Sequence, residues 1–468
     1  MWNLEKHNGS TAYIDEVFGP ISYGSIATLQ KYLAIKIRPR SLILCLCSNS
    51  IGSVSGYITF INSKNIPLLL DSEIDETIFD LYIKKYNPHY VWLPEASKIS
   101  TSRFRNIYSG YGYVLMESSE SNNYCINDDL ALLLTTSGSV GSPKLVRLSY
   151  ENISSNMESI ANYLKISNSD RSITTLPMNY SFGLSIINSY LYCGASVVLT
   201  QKSIMQKDFW DQFRLNNVTS LSGVPYTFEM LNRLKITGND LPSLRVITQA
   251  GGRLSNALQL KFAEYAIANN IRFFVMYGQT EATARMSYLE LNKSIEKCGS
   301  IGQAIPGGKF KISFDKANEN FPNEDAGDLI YQGKNVMLGY ANSCEDLAKS
   351  DECHGNLMTG DIAKVDSDGY VYIVGRKNRF LKLFGNRISL DEVEQILINN
   401  FPNLEFACKG DDSQLITYIA GRYNSKEITQ YLAERIGLHH SVFKVIEMNE
   451  MPKTSSGKIK YLDLPISE

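Results

Sequence analysis

The chain has 468 residues, 44% of them apolar, enough for roughly two to four domains with conventional cores, which excludes a disordered protein. Its 46 Lys and Arg offset 48 Asp and Glu, a formal charge of -2 without long runs of either sign, so neither a nucleic-acid groove nor a polybasic membrane patch is predicted and the partner is small. No apolar run approaches the ~20 residues of a membrane helix, and Met1–Lys6 lacks the basic start and apolar core of a leader. The eight cysteines form no C-x-x-C pair and no zinc spacing, so they read as reduced thiols in a cytoplasmic protein.

Residues 1–125 alternate apolar runs (Ser41–Cys47, Val54–Ile61, Ile66–Leu70, Tyr90–Leu93) with helical patterns. This predicts a mainly parallel α/β sheet covered by helices. No motif there carries chemistry. Next comes Leu130–Leu134, with the length and composition of a buried strand, then Thr135–Lys144 (TTSGSVGSPK), then a possible helix start within Leu148–Ile153.

Strand, loop and helix are the layout of a phosphate cradle. Thr136, Ser137 and Ser139 offer hydroxyls, Gly138 and Gly141 allow close backbone approach, and Lys144 adds a point charge. Read alone, the run is equally an ordinary Ser/Gly surface loop. It is not a G-x-x-x-x-G-K-[ST] loop, because Pro143 intervenes and Leu145 follows the lysine.

Further along, a helix is predicted near 150–164 and strands within Ser172–Pro177, Ala195–Thr200, Ser220–Val224, Arg245–Ala250 and Phe273–Tyr277. The last three each end in a turn signal, and ligands in open α/β sheets bind beyond the carboxyl ends of strands. From about residue 299 short strands (Phe310–Ser313, Gly327–Tyr331, Gly369–Val374) predict a β subdomain ending near 377. A boundary falls near Asn378, and residues 378–468 read as a smaller α+β domain with a helix over Leu390–Leu397 and a glycine-containing loop at Pro452–Lys458.

Taken in order, these turns resemble one family, the adenylate-forming enzymes: acyl- and aryl-CoA synthetases, nonribosomal-peptide adenylation domains and luciferase. The matches are Thr136–Lys144, Ala250–Gly252, Tyr277–Glu281, Gly299–Gly302, Gly327–Ile330 with Gly339–Tyr340, Thr359–Asp361, Gly375–Arg376, Lys382 with Gly385, and Pro452–Lys458. They cover about three quarters of the chain; the first ~120 residues fit in general pattern only.

The resemblance implies a large adenylating domain over 1–377 and a mobile C-terminal lid over 378–468. It assigns the β- and γ-phosphates of ATP to Thr136, Ser137, Gly138, Ser139, Gly141 and Lys144, the α-phosphate to Thr280, and Mg²⁺ to Glu281. Adenine falls to Tyr277, Gly278, Gly251 and Gly252. The ribose hydroxyls fall to Asp361, assisted by Arg376. Lys458 would reach over from the lid to stabilise the charge of the reacting carboxylate and α-phosphate. Asn378 would be the hinge, and Lys382 and Gly385 would face the site during thiol attack. The acid pocket would be walled by Tyr180, Phe182, Val224, Gln249, Ala250 and Val275. Without the flanking motifs, Thr280-Glu281 reads as a helix cap, Asp361 as a turn residue, Lys382 as part of a basic strand and Lys458 as a surface lysine.

The sequence also departs from the family pattern. Val140 stands where threonine is usual, removing one hydroxyl from the phosphate loop. Tyr180 stands where many CoA ligases carry a histidine or another aromatic, and Asn378 stands where Asp or Lys is common. No aspartate near 179–182 is offered to pair a substrate ammonium, which favours an acyl or aryl acid. The expected activity is activation of a carboxylic acid as an acyl-adenylate, followed by transfer to CoA or to phosphopantetheine on a separate carrier protein. An amino-acid-adenylating enzyme and a degenerate nucleotide-binding protein are the alternatives. Retention of Lys458 with Glu281, Asp361 and Arg376 argues against the second.

Overall fold

The computed structural model describes residues 1–119, 124–135, 144–236, 241–314, 325–377, 379–383, 386–402, 404–411, 413–421, 423–454 and 457–465. Two large sheets dominate. A nine-stranded sheet runs in the order Gln303–Ala304, Ser287–Glu290, Arg272–Tyr277, Val246–Gln249, Ser220–Gly223, Arg171–Ile173, Ser196–Leu199, Thr11–Asp15, Gly19–Ser22. An eight-stranded sheet runs Gly339–Ala341, Leu145–Ser149, Leu130–Thr135, Ile66–Asp71, Leu42–Cys47, Tyr90–Pro94, Tyr113–Ser118, Phe104–Gly110. Both are parallel in the middle and antiparallel at their edges, as the mainly parallel α/β expectation requires.

The central strands of the eight-stranded sheet are almost wholly apolar because both their faces are covered; Leu42–Cys47 is buried at every position. The largest core lies between the sheets, joining Tyr13, Val197 and Met276 of one to Cys45, Leu134 and Val146 of the other. The run at Val54–Ile61 forms the helix Ile51–Asn62, buried at every position from Ile51 to Ile61 within this central core, its small polar residues Ser53, Ser55 and Thr59 included.

The expected strand–loop–helix arrangement at 130–153 is corrected. Leu145–Ser149 is a buried strand antiparallel to Leu130–Thr135, with Thr135 opposite Leu145, so Thr135–Lys144 joins two strands of a hairpin. The helix Tyr150–Tyr163 starts only after this second strand, where Ser149 and Asn152 form a capping box. Arg147 hides the strand in the sequence. It lies mid-strand yet is fully buried, because its guanidinium is satisfied by carbonyl groups and Glu352.

A four-stranded antiparallel sheet follows, Lys309–Ser313, Gly327–Gln332, Asn356–Val365 and Val371–Arg376. Beyond it, residues from Leu381 to Phe443 build a hydrophobic cluster of their own. It combines the hairpin Phe380–Leu383/Asn386–Ser389, the helices Leu390–Asn400 and Ser425–Ile436, and the sheet Glu405–Gly410, Leu415–Ala420, Phe443–Met448. Among the described residues no helix is long and apolar enough to cross a membrane.

Candidate active site

Three parallel strands set the site. Gly223 is in register with Gln249, and Gln249 with Val275, so the turns after Gly223, Gln249 and Tyr277 lie side by side at the carboxyl edge of the sheet. Close approach makes glycine necessary at two of them. Gly251 has φ +84°, and a Cβ there would lie 2.6 Å from the Tyr180 hydroxyl and 3.0 Å from Val224. A Cβ on Gly278 would lie 1.7 Å from the Ala284 carbonyl oxygen.

Tyr180 caps the helix Ser181–Tyr192 and packs its ring against Phe182 at 6.4 Å. Tyr180, Phe182, Val224 and Ala250 share the core between the sheets. Val275 does not join them. Strand alternation places it with Ile247 and Phe273 in the outer core, and its neighbour Met276 takes the inner face. Gln249 is fully buried and turns its amide nitrogen back to the Gly252 carbonyl at 2.8 Å.

The C-terminal loop reaches this edge. Gly457, at φ +78°, lies against Val224 and Tyr226, and Lys458 Nζ lies 5.0 Å from the Tyr180 ring centroid. The loop is closed by the Thr454 N–H donating to the Lys458 carbonyl at 2.8 Å and the Lys458 N–H donating to Thr454 Oγ1 at 3.1 Å. Lys453 fastens it on two sides, through an ion pair with Glu405 at 2.8 Å and through the Tyr226 ring at 4.4 Å.

On the opposite side stands Asp361, 3% exposed, on the strand Asn356–Val365 directly across from Arg376. The Tyr277 hydroxyl donates to Oδ2, Gln279 Nε2 donates to the same oxygen at 3.1 Å, and Arg376 Nε lies 3.4 Å from Oδ1. Burial pushes the Asp361 carboxyl up from its ordinary value, with Arg376 and the Tyr277 hydroxyl opposing the shift. Burial and the neighbouring carboxylate hold the Tyr277 phenol far above its ordinary range.

Between these groups, Thr280 Oγ1 lies 3.2 Å from Ser181 Oγ. Glu281 Oε1 accepts from the Tyr340 hydroxyl at 3.0 Å, and Lys144 Nζ lies 3.4 Å from the centroid of the same Tyr340 ring. Tyr340 therefore ties the lysine ending the glycine loop to the carboxylate expected to hold Mg²⁺. Among the described residues no group of three or more His, Cys, Asp or Glu could enclose a metal. A lone carboxylate suits Mg²⁺, which keeps waters and takes phosphate oxygens as its other ligands.

The segment after Glu281 is strained. Thr283 has φ 65° and ψ -57°, the centre of a γ-turn closed by the Ala284 N–H on the Ala282 carbonyl at 2.7 Å. Asn335 holds it, accepting from the Tyr331 hydroxyl at 2.9 Å and donating to the carbonyls of Ala282 at 2.9 Å and Arg285 at 3.0 Å. Sequence reasoning assigned no role to Tyr340, Gln279, Ser181, Asn335 or Arg285. Two of them had a signal, Tyr340 by its place in a matched Gly-Tyr pair and Gln279 by its place within the matched Tyr277–Glu281 run. Thr136, Ser137, Gly138, Ser139, Gly141, Asn378 and Gly385 lie outside the described residues, as does the side chain of Lys382, whose backbone pairs with Arg387.

This fold, with strand-end turns facing a docked C-terminal lysine, defines an adenylate-forming enzyme. The model of the AMP-binding enzyme family matches residues 88–341, more than half of the chain, and the chain belongs to that family. It is 28% identical over 347 residues to an oxalate–CoA ligase of Saccharomyces cerevisiae, covering 71% of this chain and 62% of the yeast enzyme. It is 26% identical over 499 residues to a probable CoA ligase of Humulus lupulus, covering 98% and 90%. Among solved structures, an o-succinylbenzoate CoA synthetase of Bacillus subtilis holding an acyl-adenylate superposes with a TM-score of 0.79 at 21% identity, covering 100% of this chain and 99% of that one. ATP-bound MatB from Rhodopseudomonas palustris superposes at 0.76 with 18% identity, covering 97% and 95%.

Proposed function

We propose that this protein uses ATP and Mg²⁺ to convert a carboxylic acid to an acyl-adenylate and then transfers the acyl group to the thiol of CoA or of phosphopantetheine on a separate carrier protein. A carboxylate oxygen forms a bond to the α-phosphorus as the bond to the bridging oxygen breaks and pyrophosphate leaves. The thiol sulfur then attacks the acyl carbon, AMP departs with the electron pair, and the thiol proton passes to solvent. The observation that carries this reading is the position of Lys458 beside Tyr180, at the sheet edge where Thr280 and the Ala250–Gly252 turn also lie.

In this reading Lys458 neutralises charge that is greatest as the carboxylate meets the α-phosphate. Thr280 orients the α-phosphate. Asp361, Arg376 and Tyr277 hold the nucleoside, and Lys144 and the preceding loop hold the pyrophosphate. Glu281 would hold Mg²⁺, which when bound neutralises the phosphate oxygens. Residues 1–377 would form the adenylating body and 378–468 a lid turning about Asn378, with Lys382 and Gly385 brought in for thiol transfer. CoA as acceptor is supported by the CoA-ligase relatives. The charged side chain beside Phe182 is Arg285, which would repel a substrate ammonium, so an acyl or aryl acid is favoured over an amino acid.

Acid-dependent ATP–pyrophosphate exchange over fatty, aryl and amino acids tests the first half. No exchange with any class, from folded protein that binds ATP, would overturn it. Product mass after adding CoA or a phosphopantetheinylated carrier tests the second, and accumulation of free adenylate with both would exclude the thioester step.

A further inference from the structure

Arg147 and Arg285 are both fully buried, at 0% and 1% exposure, and their surroundings differ. Arg147 donates to the carbonyls of Leu338, Tyr340, Lys349 and Ser350 and pairs with Glu352 at 2.6 Å. That is how a structural guanidinium is satisfied when water is excluded. Arg285 has no carboxylate partner and no carbonyl acceptor for its side chain among the described residues. Its guanidinium meets the Met276 sulfur, the Ser185 hydroxyl at 3.2 Å, the Tyr163 phenol and the face of Phe182 at 4.1 Å, and its Nε has no partner.

A guanidinium carries five donors and does not lose its proton, so burying one among neutral groups is unfavourable without a compensating anion. The position is nonetheless firmly built. The Arg285 carbonyl accepts from Asn156 at 2.9 Å and from Asn335 at 3.0 Å, directly after the strained turn at Thr283.

We propose that Arg285 receives the second carboxylate of a dicarboxylic acid substrate, an inference that rests on the acid-activating reading above. Phe182, whose face Arg285 covers, touches Tyr180, and Tyr180 touches Lys458. Two adjoining rings thus lead from one cation to the other. A diacid lying along them places one carboxylate at Lys458 for activation and the other at Arg285, whose planar fork fits a carboxylate with two parallel hydrogen bonds. A monocarboxylic acid would leave the guanidinium unpaired and an amino group would be repelled.

The test pairs α,ω-dicarboxylic acids of increasing length with monocarboxylic acids of equal length, and phthalate with benzoate. Each is assayed by calorimetric binding to the full chain with a non-hydrolysable ATP analogue and by ATP–pyrophosphate exchange. At least one diacid is expected to bind about tenfold or more tighter than its partner. Arg285→Met is expected to erase that difference while ATP binding persists, and Arg285→Lys to keep part of it. Equal or weaker binding of every diacid overturns the proposal, as does a diacid preference that survives Arg285→Met. If Arg285→Met does not fold, the wild-type comparison with Arg285→Lys decides. Absence of exchange with all acids, alongside Arg285-dependent diacid binding, would refute the ligase reading and leave the carboxylate site standing.

Discussion

Lys458 and Tyr180, 278 positions apart in the chain, meet with the lysine Nζ 5.0 Å from the ring centroid. Under the proposed function this is the arrangement in which Lys458 would serve adenylation. Lys458→Ala should raise the adenylation barrier by about 3 kcal/mol, roughly a hundredfold in rate. ATP affinity should be largely kept, and thioester formation from supplied acyl-adenylate should survive. Single-turnover assays of the two half-reactions check this; equal loss in both would assign Lys458 a general structural part.

Gly278→Ala should damage the nucleotide site through backbone displacement alone. The added Cβ would overlap the Ala284 carbonyl at 1.7 Å, and that atom is backbone that cannot rotate aside. Because the next residues carry Thr280, Glu281 and the strained Thr283, the shift should propagate to all three. Destabilisation of about 1–3 kcal/mol is expected, with ATP affinity falling further. Thermal unfolding with and without ATP separates the two effects.

Asp361 should give nucleotide binding an acid limb above the ordinary carboxylate range. Its carboxyl is pushed up by burial, so the native state holds a proton where the unfolded chain has lost it. The free protein therefore loses stability as pH rises from the ordinary carboxylate value through the raised one. In the proposed ribose site binding runs the other way, because an ionised carboxylate is the stronger acceptor for hydroxyls, so ATP affinity should fall as pH drops through the raised value. Asp361→Asn should flatten both profiles. Calorimetric ATP titrations and unfolding midpoints across that window check the two signs.

Tyr340→Phe should weaken the response to Mg²⁺ without removing a residue expected to touch it. The lost hydroxyl is the 3.0 Å donor that orients Glu281, and the phenyl ring retains the contact with Lys144. Loss of a group that orients a metal carboxylate lowers metal affinity by about tenfold or more. The Mg²⁺ concentration giving half-maximal exchange should therefore rise, with the rate at saturating Mg²⁺ much less affected.

The sheets were legible because many of their strands are runs of mainly apolar residues and several end in glycine turns, as at Gln249–Gly252 and Tyr277–Gly278. What escaped depended on long-range pairing. The strand Leu145–Ser149 carries an arginine whose partners lie about 200 positions away at Lys349 and Glu352. Val275 and Met276 are both apolar, and only the register of their strand decides which faces the inner core. Arg285 is one charged residue in a polar stretch, and nothing local reveals that its side chain turns inward against Phe182.

Glu394→Ala should unfasten the C-terminal region and impair adenylation from a distance. Glu394 Oε1 accepts from Arg379 and from the Cys408 N–H, both at 2.6 Å, and Oε2 accepts from the Tyr461 hydroxyl at 3.0 Å. Arg379 also covers the Tyr461 ring at 3.9 Å, so one carboxylate joins the helix Leu390–Asn400, the strand Glu405–Gly410 and the segment just after Lys458. Removing it leaves a guanidinium only 15% exposed with Asp391 as its remaining carboxylate among the described residues, a loss of about 3 kcal/mol. Tyr461 is freed only three positions beyond Lys458, so exchange activity should fall although no residue at the nucleotide changes. Hydrogen exchange should locate the opening within 379–465 and leave the two large sheets protected. Uniform loss of protection across the chain would instead mean that the C-terminal region does not unfold separately.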